Sequence, residues 1–127
     1  NGSVIEVLAE YDPDPRGGTP SDGRKIKGPA IHWVDAATAV DAEIRLYDNL
    51  FSDAAPDAGG KDFLTALNPN SLTVLNGCKL EAALADAVPG ASYQFMRTGY
   101  FCMDNRDCTA EHLVFNRSVS LKDSFKK

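Results

Sequence analysis

The chain has 127 residues, 43% hydrophobic and 24% charged, with a formal net charge of −5. That length is one domain's worth, enough to bury a core without disulfides or metal. The composition is that of a soluble globular protein, and the acidic total argues against a generic polyanion binder.

Three cysteines (Cys78, Cys102, Cys108) cannot all pair, and their spacing suits neither zinc nor a redox couple. The two histidines, His32 and His112, stand 80 residues apart, so no metal site is expected. Reduced thiols in a cytoplasmic protein are the simplest account. No apolar run approaches the ~20 residues of a membrane span, and no charged-then-apolar leader opens the chain. Charge is unevenly spread: residues 1–60 carry 5 basic and 11 acidic side chains, residues 61–127 carry 8 and 7. Contact with nucleic acid would therefore rest on a few placed cations. The candidates are the cluster Arg24, Lys25, Lys27 and the scattered Arg97, Arg106, Arg117 and Lys122, each of which also reads as an ordinary solvated cation.

In chain order, Asn1-Gly2 is a hairpin dipeptide and Val4–Tyr11 reads as a strand. A hairpin turn with no strand before it implies a piece of a longer chain cut at a turn, or two residues added for expression. Residues 12–23 hold three prolines and three glycines and read as a loop. Arg24–Val34 reads as a strand interrupted at Gly28-Pro29, with Ile31 and Trp33 on one face and His32 on the other. His32 is open to two readings, a base or stacking surface and a structural strand histidine. Glu43–Tyr47 alternates as a half-buried strand, and Ser52–Gly60 is an acidic, breaker-rich loop. Asp62–Leu67 suits one or two helical turns stopped by Asn68-Pro69-Asn70. Ser71–Leu75 is a strand and Asn76-Gly77 a turn. Glu81–Val88 is the clearest helix, closed by Pro89-Gly90.

The stretch from Ala91 to Asp104 organises the rest. Two short strands meet near Thr98-Gly99, with Tyr93, Phe95, Tyr100 and Phe101 as aromatic mass for a pleated surface. Between them stand Gln94 and Arg97, an amide and a guanidinium able to make paired hydrogen bonds to a base edge or a phosphate. Asp104–Glu111 is a polar loop, Leu113–Leu121 a long alternating strand, and Lys122–Lys127 a basic tail. Many short strands with only short helical pieces point to an all-β fold, an antiparallel barrel or sandwich with one or two short helices. The chain holds no phosphate-cradling glycine loop, no G-x-S-x-G elbow, and no cysteine–histidine pair beyond the weak Cys108/His112. Read on its own residues, it is non-catalytic.

Five blocks in order carry a family resemblance: K-G-P-A-I-H-W-V (27–34), E-I-R-L-Y-D-N-L-F (43–51), L-N-P-N-S-L (67–72), Y-Q-F-M-R-T-G-Y-F-C-M-D (93–104) and V-F-N-R-S-V-S-L-K-D-S-F (114–125). Together they resemble the C-terminal anticodon-binding region of glutaminyl-tRNA synthetases, over nearly the whole chain from about residue 11 to 125. The related glutamyl-tRNA synthetases share the architecture, but I-R-L-Y-D and G-Y-F-C-M-D look more like the glutamine enzyme. The resemblance implies a C-terminal part (1–127) of a class I, monomeric, cytoplasmic glutamine–tRNA ligase whose antiparallel β-barrels grip the anticodon loop of tRNA(Gln). It also implies a catalytic domain elsewhere in the chain that uses ATP and Mg2+. The H-I-G-H-like and K-M-S-K-S-like signatures are absent from these residues, so no catalytic residue and no cofactor is expected here.

By the same resemblance, Gln94 and Arg97 help form the pocket for splayed anticodon bases, whose Watson–Crick edges suit an amide and a guanidinium. Met96 stands where the family often has a glutamate. Residues three apart on a regular strand face opposite sides, so a bulge or a strand end is required if both reach the RNA. Lys25 and Lys27 are candidate backbone contacts. The Phe51–Leu72 segment resembles the connection that runs back toward the catalytic half. It is read either as a reporter of anticodon binding or as a loop packed on the barrel. Two other functions are carried alongside: an L25-type ribosomal-RNA-binding barrel, against which the acidic charge speaks, and a protein-only interaction domain.

Overall fold

The computed structural model describes residues 2–10, 12–14, 20–26, 28 and 31–121. It divides into two compact units, Asn1–Ile31 and His32–Lys127.

The first unit contains no regular secondary structure among its described residues. The strand expected from Val4 onward is not formed: Val4, Ile5, Val7 and Leu8 are all at least 80% exposed and pair with no described strand. A run of strand-forming residues makes a strand only when a partner takes up its N–H and C=O groups and covers one face. Local order comes from carboxylates instead. Asp14 accepts from Ser21 N–H (2.9 Å) and Oγ–H (3.0 Å), and Arg24 pairs with Asp12 and Asp22.

The second unit is built on one five-stranded sheet: β1 (Val40–Tyr47), β2 (Leu72–Leu80), β3 (Ser92–Phe95), β4 (Gly99–Met103) and β5 (Leu113–Ser120), in the order β2-β1-β5-β4-β3. Neighbours run antiparallel except β1 and β5, which run parallel, so the sheet is mixed where an antiparallel one was expected. Two antiparallel groups, β1–β2 and β3–β4–β5, are joined through that parallel seam. The sheet does not close, so the barrel expectation holds only approximately.

One face is apolar. Ala42, Ile44, Leu80, Phe101, Met103, Leu113 and Phe115 form its buried core. Phe95 stacks on Phe101 (ring centroids 4.3 Å) and tilts against Phe115 (5.4 Å), which also takes the edge of Tyr93 (5.9 Å). Such pairs add ~0.5–1.5 kcal/mol each beyond the area they bury. Val114, also fully buried, lies on the opposite face, so β5 opens with three buried residues in a row rather than an alternation.

Three local expectations are corrected. Asn76-Gly77 is no turn; β2 runs through it, and the β1–β2 register shifts there, from Ala42↔Cys78 to Ile44↔Leu75. Gly77 at φ +67° absorbs the extra residue, the same backbone freedom a hairpin would have used. The helix expected over Glu81–Val88 is only a 3-10 turn, Ala82–Asp86. Leu84 and Ala87, three apart, pack on the core, a spacing that a three-residue turn superposes. A stretch this short before Pro89 cannot offset the cost of helix nucleation. Thirdly, the described residues of Arg24–Val34 form no strand, and Trp33 (76% exposed) and Ile31 (78%) are not faces of a sheet. Lys27, Pro29 and Ala30 lie outside the described residues.

The Asp62–Leu67 expectation holds as a 3-10 turn, Phe63–Ala66, whose N-cap Asp62 accepts from Leu64 N–H (3.0 Å). The connection between β1 and β2 folds on itself. Ser52 N–H donates to Ala66 C=O, Asn68 N–H to Leu50 C=O, and the rings of Phe51 and Phe63 meet edge to face.

Candidate nucleic-acid interface

The β3–β4 hairpin carries the two residues singled out from the sequence. Its pairs are Ser92↔Cys102, Tyr93↔Phe101, Gln94↔Tyr100 and Phe95↔Gly99. Directly opposite residues share a face. Tyr93, Phe95, Phe101 and Met103 therefore turn into the core, while Gln94 and Tyr100 project together from the other side. A turn from Phe95 to Thr98 closes the hairpin, with Thr98 N–H donating to Phe95 C=O (2.9 Å).

Arg97 sits in this turn, beyond the end of β3. It is the only non-glycine with positive φ among the described residues, at φ +62°. A turn with negative φ at its second residue and positive φ at its third normally places glycine or asparagine third. Because Arg97 is off the strand, alternation no longer sets its direction. Arg97 thus lies at a strand end, one of the two geometries that free it from alternation with Gln94. Both side chains are exposed, and neither makes a hydrogen bond or ion pair among the described residues.

Gly99, which follows the turn, is fixed by packing. A Cβ there would stand 2.6 Å from Val119 C=O and 3.6 Å from Arg117 Cδ, and its φ of +154° is strained for any other residue. The close approach of β4 to β5 at this point therefore requires glycine.

The apolar face holds an open concavity of about 540 Å³ floored by side chains such as Ile44, Leu75, Leu80 and Phe101, with Thr98 and Arg117 at its rim. Gln94 borders it at the sheet edge, although its amide shares the opposite face with Tyr100. His32 Nε2 meets the Glu81 carboxylate (3.2 Å) beside this concavity, so it stands as a hydrogen-bond partner off the sheet rather than as a strand histidine.

The polar face carries a network that sequence reasoning did not single out. Arg45 donates to Glu43 (2.6 Å) and Asp107 (2.6 Å) and lies 3.8 Å from Asp104. Asn116 Nδ2–H donates to Asp104 (2.7 Å), Tyr47 O–H donates to Asn116 Oδ1 (3.0 Å), and His112 reaches Glu43 (3.3 Å). The Asp104 carboxyl, ordinarily near 3.8, is lowered to about 2. The N–H of Asp107 contributes most, then the Asn116 amide, the N–H of Arg106 and the Arg45 charge, against some desolvation. The Arg45 guanidinium is held more firmly protonated by its hydrogen bonds to Asp107 and Glu43. Thus the cation most embedded in the sheet is saturated by carboxylates, and Arg97, Arg106 and Arg117 are the arginines of this unit without such partners among the described residues. The signal was present in I-R-L-Y-D and C-M-D-N-R-D, but only the β1–β5 seam brings those segments together.

Lys25 is exposed in the first unit, and Lys27 lies outside the described residues. All three cysteines are free, and no group of three or more metal-ligating side chains assembles among the described residues. No described helix is long and apolar enough to cross a membrane.

The family described as tRNA synthetases class I (E and Q), anti-codon binding domain, matches residues 30–104, which include all of β1, β2 and the hairpin. The chain belongs to this family. Among similar proteins, the glutamine–tRNA ligase of Serratia proteamaculans is 52% identical over 126 residues, covering 99% of this chain and 22% of that protein. That of Cupriavidus taiwanensis is 54% identical over 128 residues, covering 100% and 22%. The Escherichia coli glutamine–tRNA ligase is 50% identical over 126 residues, with 99% and 22% covered. This anticodon-binding domain thus spans about a fifth of the length of the curated relatives it matches, and those relatives are glutamine enzymes, in line with the I-R-L-Y-D and G-Y-F-C-M-D blocks.

Proposed function

We propose that this anticodon-binding domain reads the anticodon loop of tRNA(Gln) within a glutamine–tRNA ligase, with Gln94 and Arg97 of the β3–β4 hairpin as its base- and phosphate-binding residues. The observation that carries the reading is Arg97. A long cationic side chain occupies a left-handed turn position, at a cost of ~1–2 kcal/mol for an L-residue, and no partner among the described residues repays that cost. Backbone strain held at an exposed residue points to what its side chain meets outside the protein. A guanidinium and an amide on one hairpin, both without partners among the described residues, are suited to an unstacked base and its phosphate. A domain with net charge −5 has no basic field to spread over RNA, which makes each placed cation count for more.

Lys25, and Lys27 with it, are proposed as weaker backbone contacts. Ligation itself, with its ATP and Mg2+, is assigned to a catalytic domain of the longer protein, and the working species is a cytoplasmic monomer. The β1–β2 connection is proposed to face that catalytic domain: Leu50, Phe63 and Leu64 are roughly half exposed on a segment that packs on itself. The test is tRNA binding by the intact ligase carrying Gln94→Ala or Arg97→Ala. Glutamine tRNA is compared with a transcript changed at the middle anticodon base, at two salt concentrations. Loss of ~1–3 kcal/mol for the cognate tRNA with blunted discrimination supports direct base reading. Equal weakening of both with a shallower salt slope assigns the residue to phosphate. No change in either variant refutes the assignment.

A further inference from the structure

The hairpin has four aromatic residues, and three of them are consumed by the fold. Tyr93, Phe95 and Phe101 pack against one another or against Phe115. Tyr100 is the exception. It is 45% exposed, its ring stacks on no other ring, and its hydroxyl makes no hydrogen bond among the described residues. Register places it opposite Gln94 on the same face, and its other neighbour across the sheet is Val119, itself 57% exposed. Directly opposite side chains on such a pair have Cβ atoms ~4.5–5.5 Å apart. The β4–β5 register shifts immediately beyond Tyr100, between Tyr100↔Val119 and Phe101↔Arg117. Bulges of this kind bend a strand and re-aim the neighbouring side chain. Core packing accounts for none of this: a solvent-facing ring beside an unpaired amide, one turn away from an unpaired guanidinium.

We infer that Tyr100 is a stacking platform for an unpaired RNA base, with Gln94 reading the edge of the base that lies on it. The inference rests on the proposed anticodon-reading function and adds to it the residue that holds the base in place. A ring supplies a π-face that every base can use, while an amide at its flank supplies the edge selectivity a ring lacks. The division of labour also suits an acidic domain, because stacking needs no positive field.

The experiment uses the intact ligase with Tyr100→Leu and Tyr100→Phe, alongside Gln94→Ala and Arg97→Ala. Two probes are used: glutamine tRNA, and the same transcript with 2-aminopurine placed in turn at each anticodon position. Tyr100→Leu is expected to weaken binding about 5- to 150-fold, the range for removal of one stacked base. It should leave the salt slope unchanged and abolish the fluorescence change on binding at one position. Tyr100→Phe is expected to stay within about twofold of the parent and to keep that change, since the ring is retained. Since Tyr100 is exposed, the Leu variant keeps the core intact. Tyr100→Leu binding as tightly as the parent overturns the inference, and so do Leu and Phe variants that are equally weak, which would assign the effect to the hydroxyl. If Gln94→Ala or Arg97→Ala weakens binding while Tyr100→Leu does not, only the stacking role falls. If all four variants bind like the parent, the anticodon-reading function falls with it.

Discussion

Replacing Arg97 by glycine should separate stability from function at one residue. Arg97 holds φ +62° in a turn whose other requirements, the Thr98 N–H to Phe95 C=O bond and the Phe95↔Gly99 pair, do not involve its side chain. Relief of the left-handed conformation returns ~1–2 kcal/mol. The extra freedom glycine gives the unfolded chain costs ~0.4–1 kcal/mol. The net is between about zero and ~1.6 kcal/mol in favour of the folded hairpin. In the intact protein this is read by hydrogen exchange of the residue 92–103 amides, which should slow by up to about 15-fold or stay the same. Affinity for glutamine tRNA should fall about 5- to 150-fold, the value of one bidentate contact. Arg97→Lys distinguishes the two contact types. It retains a phosphate contact, whereas a bidentate base contact is lost almost as fully as in the glycine variant. Faster hairpin exchange in Arg97→Gly would mean that the arginine stabilises its own turn. Unchanged affinity would mean that the strain has no functional return. Either result refutes the reasoning.

Gly99→Ala should destabilise the sheet by about 2–4 kcal/mol, because its Cβ meets Val119 C=O while φ stays positive; urea unfolding measures this, and a loss under about 0.5 kcal/mol contradicts the contact. Asp104 should shape the acid limb of stability. A carboxyl lowered to about 2 from 3.8 stabilises the fold fully above its ordinary range and loses that contribution as pH falls from about 4 toward 2. Asp104→Asn should flatten this stretch of a urea-midpoint titration and cost ~1–3 kcal/mol at neutral pH, since its amide would face the Asn116 N–H donor; an unaltered acid limb argues against the network. Phe63→Ala with Leu64→Ala should change stability by no more than about 1 kcal/mol, both being half exposed. Aminoacylation by the intact ligase should nevertheless fall about fivefold or more; unchanged aminoacylation removes the proposed link to the catalytic domain.

Much of the fold was legible because strands announce themselves through alternation. β1, the first half of β2, the hairpin and β5 were read close to where they lie. The errors share one physical origin: short patterns were read as complete when their outcome depended on remote partners. Val4–Leu8 is rich in strand-forming residues but finds no strand to pair with among the described residues, so its propensity produces nothing. Asn76-Gly77 has turn chemistry, yet pairing with β1 on both sides of it makes the same positive φ a bulge. Glu81–Val88 has helix-forming residues but too few of them. The parallel β1–β5 seam had no local signature, because the register of strands so far apart in sequence is a tertiary fact. The Arg45–Asp104–Asn116 network was invisible for the same reason. Gln94 and Arg97, in contrast, were legible as chemistry but not as geometry: only the turn conformation shows that the second lies off the strand.

The hairpin also shows why the proposed site and the fold are specified together. Side chains on a strand alternate with a period of two, so a slip of one residue between β3 and β4 would exchange the faces of β3. Tyr93 and Phe95 would turn outward and Gln94 would be buried where no partner awaits an amide, while Phe101 and Tyr100 kept their faces through β5. The aromatic cluster around Phe115 opposes such a slip with several ring contacts. Gly99 opposes it sterically, since it is the residue able to pass Val119 C=O at the observed distance. The residues that keep Gln94, Tyr100 and Arg97 exposed are therefore buried ones that never meet a ligand. Substituting them should impair recognition through register, and the signature differs from loss of a contact: a change at Gly99 should weaken every tRNA alike while hairpin exchange accelerates. A change at Gln94 should leave exchange alone and act on one base.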